Sequence, residues 1–386
     1  MSYMTWCSMS SGQRLEGKTV VLAVTGSIAV VETVRLAHEL RRRGAVVQAV
    51  MSAAACGIIH PDALTYATGR EAITRCTGMV EHVLYCGEGG CADLLLVAPC
   101  TANTIGKIAH GIDDTPVTTF ATTALGRGMP VVVVPAMHES MYRHPGVVEN
   151  LAKLESWGID VVPPRIEEEK AKIAGIEEIA LHVERALLDR PLAGKRVVIT
   201  SGACAEPVDD VRVLTTRSTG QMGRALALEA YRLGASVTVV HAGHVPCVEN
   251  VHVETAGEMM EAVLAGVGKG ADYYLSAAAI SDFAPARAAG KIPSGAPVEI
   301  GLRPLPKVLD AVQRIFSGTV VAFKLGWDEE ARAAAMLDAG VAMVVLNTPP
   351  AMGAAGGEFV LMKSDSRRTV TGTKEEVAEA IWSALL

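Results

Sequence analysis

Small and polar residues follow four apolar runs in the first half of the chain. Thr25, Gly26 and Ser27 follow the first run, Ser52 follows the second, and two longer segments come later, at residues 99–104 and 135–141. Glycine lets a backbone approach a ligand closely, and hydroxyls and helix N-terminal amides donate to phosphates. Because open α/β sheets bind ligands beyond the carboxyl ends of their strands, these segments could surround one phosphorylated ligand. Ordinary helix capping is the alternative for any single segment.

Two glycines in the second half have a similar position. Gly220 and Gly223 open a predicted helix over residues 222–233, where backbone amides could bind a phosphate or a developing oxyanion. Close helix packing is the alternative explanation. Neither half carries a GxGxxG sequence after its first strand, which favours a mononucleotide or a flavin over a dinucleotide.

Strands and helices alternate in both halves. Helical periodicity begins near residue 30 in the first half, and a strand pair followed by a helix over residues 374–386 is predicted at the end of the chain. Predicted strands cover residues 46–51, 93–98, 131–134, 196–200, 236–241, 272–276 and 342–346, and a loop is predicted at 353–357. This pattern predicts two doubly wound, mostly parallel, Rossmann-like α/β sheets.

The two halves begin alike. Residues 15–27 and 192–203 each carry a Leu-x-Gly-Lys sequence, then a Val/Ile-rich strand that ends in hydroxyl and glycine residues. A predicted helix over 176–189 precedes Arg190 and Pro191, and proline disfavours continuation of the helix. We therefore predict domains at residues 1–189 and 190–386.

Composition excludes several classes of protein. The 386 residues include 35 Lys and Arg against 42 Asp and Glu, a net charge of −7, which argues against a nucleic-acid partner. The longest apolar runs without charge, residues 19–31 and 94–105, are shorter than the roughly twenty residues that span a bilayer. Residues 1–16 lack the apolar core of a secretory signal, so we predict a cytoplasmic protein without a membrane segment. The eight cysteines form no CxxC, which favours reduced thiols.

The same segments carry a family resemblance. Residues 25–29, 98–104 and 135–141 resemble the signature segments of FMN-dependent cysteine decarboxylases. In the second half, residues 206–212, 218–223, 278–282 and 291–292 are similar to segments of phosphopantothenate–cysteine ligases. From about residue 17 to 383, the chain resembles the bifunctional coenzyme A biosynthesis proteins, in which phosphopantothenoylcysteine decarboxylase is fused to phosphopantothenate–cysteine ligase, in their archaeal type.

For the first half, the resemblance implies that FMN oxidises the cysteinyl thiol of the substrate to a thioaldehyde, which allows the carboxylate to leave, and then returns the hydride. His82 matches the catalytic histidine; a satisfied structural histidine, or a metal ligand with Cys86 and Cys91, is the alternative. His138 stands where the family carries an asparagine and would hold the substrate carboxylate as an imidazolium. The cofactor-binding residues implied are Thr25, Gly26, Ser27, Ser52, Thr101, Asn103 and Met137.

One departure concerns the proton donor of the decarboxylase. Bacterial members carry a cysteine in a flap that corresponds to residues 165–172, and this stretch contains none. The resemblance leaves four alternatives for the donor, namely Lys170, Lys172, His138 and Cys100.

For the second half, the resemblance implies that CTP activates 4'-phosphopantothenate to an acyl-cytidylate, which the amine of cysteine then attacks. Mg²⁺ would neutralise the triphosphate, with Asp282 as its ligand. The nucleotide-binding residues implied are Gly220, Gly223, Ala277, Ala278, Ala279, Asp282, Lys291, Lys307, Phe323 and Lys324. The small residues 277–279 would let cytosine lie against the backbone; a tightly packed strand end is the alternative.

Three positions depart from the ligase pattern. Thr216 replaces an asparagine of the acyl-nucleotide step, and Ala335 and Ala339 replace two lysines that hold the triphosphate. Either Arg332 or Lys324 compensates, or nucleotide binding is weak, and the choice between CTP and ATP stays open. The resemblance also implies a homo-oligomer. Two alternatives to the bifunctional enzyme are a flavin-binding regulatory or scaffold homologue and a decarboxylase of another cysteine-containing substrate.

Overall fold

The computed structural model describes residues 13–167, 170–295 and 297–386, which form two units. The chain divides between Leu188 and Asp189, one residue before the predicted boundary. Most of the N-terminal segment over residues 1–16 lies outside the described residues. No helix in the described part of the chain is long and apolar enough to cross a membrane.

The first unit is built on a five-stranded parallel sheet with the order β2-β1-β3-β4-β6. The strands of this unit are β1 Thr19–Val24, β2 Val46–Met51, β3 Leu94–Cys100, β4 Val131–Pro135, β5 Met137–His138, β6 Asp160–Val161, β7 Arg165–Glu167 and β8 Lys170–Lys172. The order reverses between β1 and β3, which is the position where such sheets bind ligands. The short strands form a separate antiparallel sheet with the order β5-β8-β7.

Helices cover both faces of this sheet. They are α1 Thr33–Arg42, α2 Ala53–Cys56, α3 Pro61–Thr68, α4 Glu81–Cys86, α5 Ala102–Ala109, α6 Pro116–Arg127, α7 Glu139–Tyr142, α8 Pro145–Ser156 and α9 Ile176–Leu187, with a 3₁₀ turn at Ile28–Glu32. Alternate residues of β1 enter two different cores: Val20 and Leu22 pack in one, and Val21 and Ala23 pack in the other. All seven residues of β3 are buried, as expected for a central strand covered on both faces.

The second unit contains an eight-stranded sheet with the order β13-β12-β9-β14-β17-β18-β19-β20. Its strands, with those of two small hairpins, are β9 Arg196–Thr200, β10 Ala205–Pro207, β11 Val213–Thr215, β12 Ser236–His241, β13 Glu249–His252, β14 Tyr273–Ser276, β15 Phe283–Pro285, β16 Leu302–Pro304, β17 Thr319–Leu325, β18 Met343–Asn347, β19 Gly356–Met362 and β20 Arg367–Thr373. The sheet is parallel from β13 to β18 and antiparallel beyond.

Five helices accompany this sheet, and a 3₁₀ turn lies at Pro349–Ala351. The helices are α10 Gln221–Arg232, α11 Ala256–Gly268, α12 Val308–Gln313, α13 Glu330–Asp338 and α14 Lys374–Leu385. Helix α14 lies against α10, where the buried Trp382 Nε1 donates to the carbonyl oxygen of Leu226 at 3.0 Å. The mostly parallel α/β architecture confirms the predicted fold class.

Two expectations about elements were wrong. Strand β17 was not predicted, although it is a central strand, and the predicted loop over residues 353–357 becomes strand β19 at Gly356. A Cβ on Gly356 would lie 2.4 Å from the carbonyl oxygen of Gly372, so this glycine permits close pairing of β19 with β20. Gly356 and Gly357 belong to the strand pair, whereas Gly353 lies in the turn before it, as predicted.

Candidate active sites

Thr25 joins the ends of β1 and β3 in the first unit. Its Oγ1 donates to the carbonyl oxygen of Pro99 at 2.7 Å and accepts from the backbone N–H of Thr101 at 3.1 Å. The residue is 1% exposed, so its hydroxyl is engaged inside the protein. Thr25 therefore fixes the geometry of the point where the strand order reverses.

Three other predicted hydroxyls cap helices at the same edge. Ser52 Oγ accepts from Ala55 N at 3.2 Å, and Thr101 Oγ1 accepts from Thr104 N at 3.3 Å. Ser27 caps the 3₁₀ turn, with Ala29 N at 3.4 Å from its Oγ. These three side chains are therefore helix caps, as the alternative interpretation predicted. The helical segments that they begin have their N-termini at the carboxyl ends of the strands.

Gly26 permits a close contact between the loop after β1 and α2. A Cβ at this position would lie 2.4 Å from Ala54 Cβ, which real contacts do not allow. The glycine is therefore required by packing at the switch point of the sheet, whether or not a ligand contacts it.

His82 is not a satisfied structural histidine. It lies on α4, half-buried, with its ring edge toward Phe120 at 6.5 Å between ring centroids. Its Nδ1 atom is buried and has no hydrogen-bond partner among the residues that the structure describes. A buried nitrogen without a partner costs free energy, so this atom is poised for a ligand group or a water molecule.

A cavity of about 600 Å³ lies at the carboxyl edge of the first unit. Ser27, Met137 and His138 line it, together with Arg165 and Lys172. Most of the remaining lining is apolar, from Ile28, Ala29, Val31, Leu36, Ala136, Ala171, Ile173, Ala174, Ile176 and Ile179, with Glu32 and Gly175. Six predicted residues are not part of this lining: Thr25, Gly26, Ser52, His82, Thr101 and Asn103.

The predicted flap lies against the loop that carries His138. Met137 pairs with Ala171 in an antiparallel bridge, and His138 pairs with Lys170. His138 Nδ1 lies 2.9 Å from Ser140 Oγ and accepts from Ser140 N at 3.4 Å. Because Nδ1 is an acceptor there, the neutral ring carries its proton on Nε2.

The four alternatives for the proton donor occupy different environments. His138 and Lys172 line the cavity, whereas Cys100 is fully buried outside the lining. Burial raises the pKa of the Cys100 thiol well above its ordinary value. The side chain of Lys170 lies outside the described residues. His138 and Lys172 are therefore the candidates that the geometry supports.

The second unit has a larger cavity, of about 770 Å³, at the carboxyl ends of β14, β17 and β18. The predicted residues that line it are Thr216, Gly220, Gly223, Ala277, Ala278, Ala279, Asp282, Lys307, Phe323 and Lys324. Lys291 does not line it. The adjacent Ile292 is held outside instead, with its backbone N–H donating to Asp209 Oδ2 at 3.0 Å.

The two predicted glycines bring α10 against the end of β9. Gly220 has φ +75°, and Ser201 Oγ donates to its carbonyl oxygen at 3.0 Å. A Cβ on Gly223 would lie 2.4 Å from both Cβ and Oγ of Ser201. The N-terminal amides of α10 are thereby placed on the wall of the cavity.

The strand end at residues 277–279 is held by backbone hydrogen bonds. Ala278 N donates to Thr200 Oγ1 at 3.2 Å, and Ala279 N donates to the carbonyl oxygen of Gly202 at 2.9 Å. Thr216 Oγ1 donates to the carbonyl oxygen of Ala279 at 3.3 Å. The hydroxyl of Thr216 therefore positions this strand end.

Charged side chains line the same cavity. Asp282 forms an exposed ion pair with Lys307. Arg332 lies on α13, one turn before Ala335, and its Nη1 is 3.0 Å from Glu329 Oε1. Ala335 and Ala339, the positions that the resemblance predicts to replace two lysines, also line the cavity. Lys324 and Arg332 are both available beside them.

Lys374 is a cavity residue that was not predicted from the sequence. It lines the second cavity at the first position of α14, although it is only 6% exposed. A lysine in the first turn opposes the preference of a helix for negative charge there. A lysine at the start of a predicted helix was therefore the one feature of the sequence that could have indicated this residue.

The described residues contain no group of three or more His, Cys, Asp or Glu side chains arranged to hold a metal ion. The alternative of a site at His82, Cys86 and Cys91 is therefore wrong. Cys86 is buried, Cys91 is exposed, and the side chains do not converge.

Comparisons with known proteins place the two units in established families. Residues 8–188 match the family described as Flavoprotein, and residues 192–386 match the C-terminal domain of DNA/pantothenate metabolism flavoproteins. The chain is thus a flavoprotein of two α/β domains. It belongs to the family of bifunctional coenzyme A biosynthesis proteins.

Two relatives illustrate this membership. The coenzyme A biosynthesis bifunctional protein CoaBC of Thermococcus kodakarensis is 46% identical over 97% of this chain and 96% of its own length. The protein of the same name from Methanocaldococcus jannaschii is 38% identical over 80% of this chain and 76% of its own length. A solved C-terminal domain of a protein of the same name shares 28% identity, with a TM-score of 0.43, over 51% of this chain and 96% of that domain.

Proposed function

We propose that the second domain joins cysteine to 4'-phosphopantothenate with CTP, and that the first domain decarboxylates the product to 4'-phosphopantetheine with FMN. The domains are assigned as residues 190–386 and 1–189. The observation that carries this proposal is the lining of the second cavity. Every residue predicted as a site residue in this domain lines it, except Lys291. Residues far apart in the chain, from 216 to 324, are brought to one site.

The second cavity suits a nucleoside triphosphate and a carboxylate substrate. Cytosine would lie along the backbone of residues 277–279, whose small side chains leave room for a base. Lys324 and Arg332 would neutralise the triphosphate in place of the absent lysines. The amides at the start of α10 would bind an anionic group of a substrate.

Mg²⁺ would arrive with CTP rather than occupy a prebuilt site, since its usual ligands are a few carboxylates and the phosphates of the nucleotide. Asp282 is the proposed protein ligand. Its carboxylate is paired with Lys307, so nucleotide binding would have to separate this pair. Exposed pairs of this kind contribute only about 0–1 kcal/mol, so the separation costs little.

The first domain fits a flavin at the carboxyl edge of its sheet. The buried Nδ1 of His82 has no hydrogen-bond partner in the described part of the chain, and the cavity beside Ser27 is mostly apolar, which suits a planar ring system. Thr25, Gly26, Ser52, Thr101 and Asn103 are the proposed FMN residues. Because the hydroxyls of Thr25, Ser52 and Thr101 are engaged in backbone bonds and caps, these residues would shape the loops and helix N-termini that hold FMN. When bound, FMN would accept the electrons of thiol oxidation and return them.

Two histidines would serve decarboxylation by this chain. His82 would hold or move a proton at Nδ1, and His138 would bind the substrate carboxylate through Nε2, beside Met137. Either His138 or Lys172 would supply the final proton, since both line the cavity.

A homo-oligomer is also proposed, with the cytoplasm as its location and small molecules rather than nucleic acids or membranes as its partners. The segment before and within α4 exposes large apolar side chains: Met79 is 69% exposed and Leu84 is 52% exposed, with Val80 and Val83 between them. Exposed apolar patches of this kind mark protein interaction sites.

A single reaction tests both activities. The purified protein is incubated with 4'-phosphopantothenate, cysteine, CTP and Mg²⁺, and the products are identified by mass spectrometry. We expect pyrophosphate and 4'-phosphopantetheine. Equal pyrophosphate release with ATP would contradict the CTP assignment, and bound flavin without turnover would favour the scaffold alternative. Decarboxylation only of another cysteine-containing compound would favour the alternative substrate.

His82→Asn isolates the decarboxylase step. We expect decarboxylation to fall by a factor on the order of 100, because a positioned proton-transfer group contributes about that much. Flavin absorbance and pyrophosphate release should be unchanged. His60→Asn is the matched control, since His60 is an exposed N-cap of α3 and asparagine also caps well. Unchanged turnover in His82→Asn would remove His82 from the mechanism.

A further inference from the structure

Lys374 is a buried cation in the wall of the second cavity. Its Nζ donates to the carbonyl oxygen of Ala351 at 3.0 Å and lies 4.4 Å from the centroid of the Phe359 ring. No carboxylate of the described residues pairs with it. An ammonium carries three N–H donors, so one bond to a carbonyl leaves capacity for a further acceptor.

Stability alone does not account for a cation at this position. Burying a charged group without an opposite charge is costly, and the helix dipole at the start of α14 adds repulsion. Burial lowers the pKa of Lys374, in accord with an ammonium that lacks an anion. A neutral side chain could donate the same bond to Ala351 at lower cost.

The neighbours of Lys374 lie beside the start of α10. The segment that accepts its hydrogen bond continues from Ala351 to Gly353. A Cβ built on Gly353 would lie 3.8 Å from Thr219 Cγ2. Thr219 immediately precedes Gly220, which opens α10. Lys374, Gly353, Thr219 and Gly220 all line the same cavity, so the α10 amides and this ammonium face the same space.

The other cations of the cavity come from different elements. Lys307 precedes α12, Lys324 lies on β17, and Arg332 lies on α13. These three are the groups assigned above to the nucleotide. A separate, buried cation beside the α10 amides therefore indicates a second anionic group on the other substrate.

We propose that Lys374, together with the N-terminal amides of α10, binds the phosphate monoester of 4'-phosphopantothenate. This assignment rests on the proposed ligase function. A compact ammonium with backbone amides suits a phosphate dianion, and each charge-assisted hydrogen bond is stronger than a neutral one. Lys374 would then select the phosphorylated substrate over unphosphorylated pantothenate.

The test compares binding of 4'-phosphopantothenate and pantothenate to the full-length protein by calorimetry. Lys374→Gln removes the charge and keeps a donor for the Ala351 carbonyl. We expect its Kd for 4'-phosphopantothenate to rise about 10- to 100-fold, with the Kd for pantothenate and for CTP unchanged. Lys374→Met should do the same, and its melting temperature checks the fold.

Lys363→Gln is the matched control, because Lys363 also donates to a backbone carbonyl, that of Ala384, outside the cavity. It should leave all three affinities unchanged. Equal weakening of both pantothenate compounds in Lys374→Gln would overturn the proposal in favour of a structural lysine. A rise in the Kd for CTP alone would assign the residue to the triphosphate and also overturn it.

Failure of the phosphate site can be distinguished from failure of the proposed ligase function. If wild-type protein binds 4'-phosphopantothenate more tightly than pantothenate but releases no pyrophosphate, the ligase assignment fails and the phosphate site stands. If wild-type protein releases pyrophosphate and Lys374→Gln keeps its preference for the phosphorylated compound, the phosphate site fails alone.

Discussion

The two cavities lie at the carboxyl ends of strands in two mostly parallel α/β sheets, yet their linings differ. The first is mainly apolar, and its sheet-end hydroxyls are engaged in caps and backbone bonds. The second contains four cationic side chains, Lys307, Lys324, Arg332 and Lys374, and a glycine-opened helix. One architecture thus carries a mainly apolar cavity in one unit and a cavity lined by four cations in the other, according to the side chains placed at the edge of the sheet.

The comparison also shows how glycine serves each site. In both units a glycine near the end of the first strand allows a helix to approach that strand closely: Gly26 against Ala54, and Gly223 against Ser201. Each contact should therefore be essential to its own site and irrelevant to the other, and paired substitutions test this independence.

The largest effect is expected for Gly223→Ala. The new Cβ would overlap both Cβ and Oγ of Ser201, so α10 must move and the hydrogen bond from Ser201 to Gly220 must break. We expect CTP-dependent pyrophosphate release to fall on the order of 100-fold, because overpacking costs about 1–3 kcal/mol and the displaced amides face the site. Flavin content should not change.

Gly268→Ala is the control for this substitution, since its Cβ would meet no atom within 4 Å at the end of α11. Ligation that survives in Gly223→Ala would show that the start of α10 is not part of the reaction site.

A smaller effect, confined to the first unit, is expected for Gly26→Ala. Its Cβ would lie 2.4 Å from Ala54 Cβ and 3.2 Å from the backbone carbon of Ala54, so the four-residue helix α2 must move. We expect flavin affinity, measured by fluorescence titration, to weaken on the order of tenfold, with pyrophosphate release intact. Gly126→Ala in α6 is the control, because that position is open. Weakened ligation in Gly26→Ala would contradict the independence of the two sites.

The smallest effect concerns acid stability of the second unit. Burial alone would raise the pKa of Asp209, but the backbone N–H groups of Ile292, Val211 and Arg212, with the Arg212 side chain, lower it well below its ordinary value. A lowered folded-state pKa means stability that is present above about pH 4 and is lost as the pH falls further.

Asp209→Asn should therefore lower the second unit's unfolding midpoint by about 2–4 °C at pH 7, and by less near pH 3, in scanning calorimetry. Asp210→Asn, which alters only an exposed pair with Arg287, is the control. An equal loss at both pH values would show that the Asp209 carboxylate charge does not stabilise the fold.

Much of the fold followed from local pattern. Strands β2, β9 and β12 have the predicted bounds, because buried parallel strands are short, continuous apolar runs. Strand β17 was not predicted, and the residues around Gly356 were assigned to a loop, because the pairing partners that make them strands lie elsewhere in the chain.

Residue identity and spacing by themselves determined the two α/β halves and the family resemblance, and they predicted ten residues that line the second cavity. Tertiary structure alone decided that His82 Nδ1 is buried without a partner among the described residues, that Cys100 lies outside the first cavity, and that Lys374 lines the second cavity. The physical reason is that periodicity reports which face of an element is buried. Which charge is left without a partner depends on contacts between elements far apart in the chain.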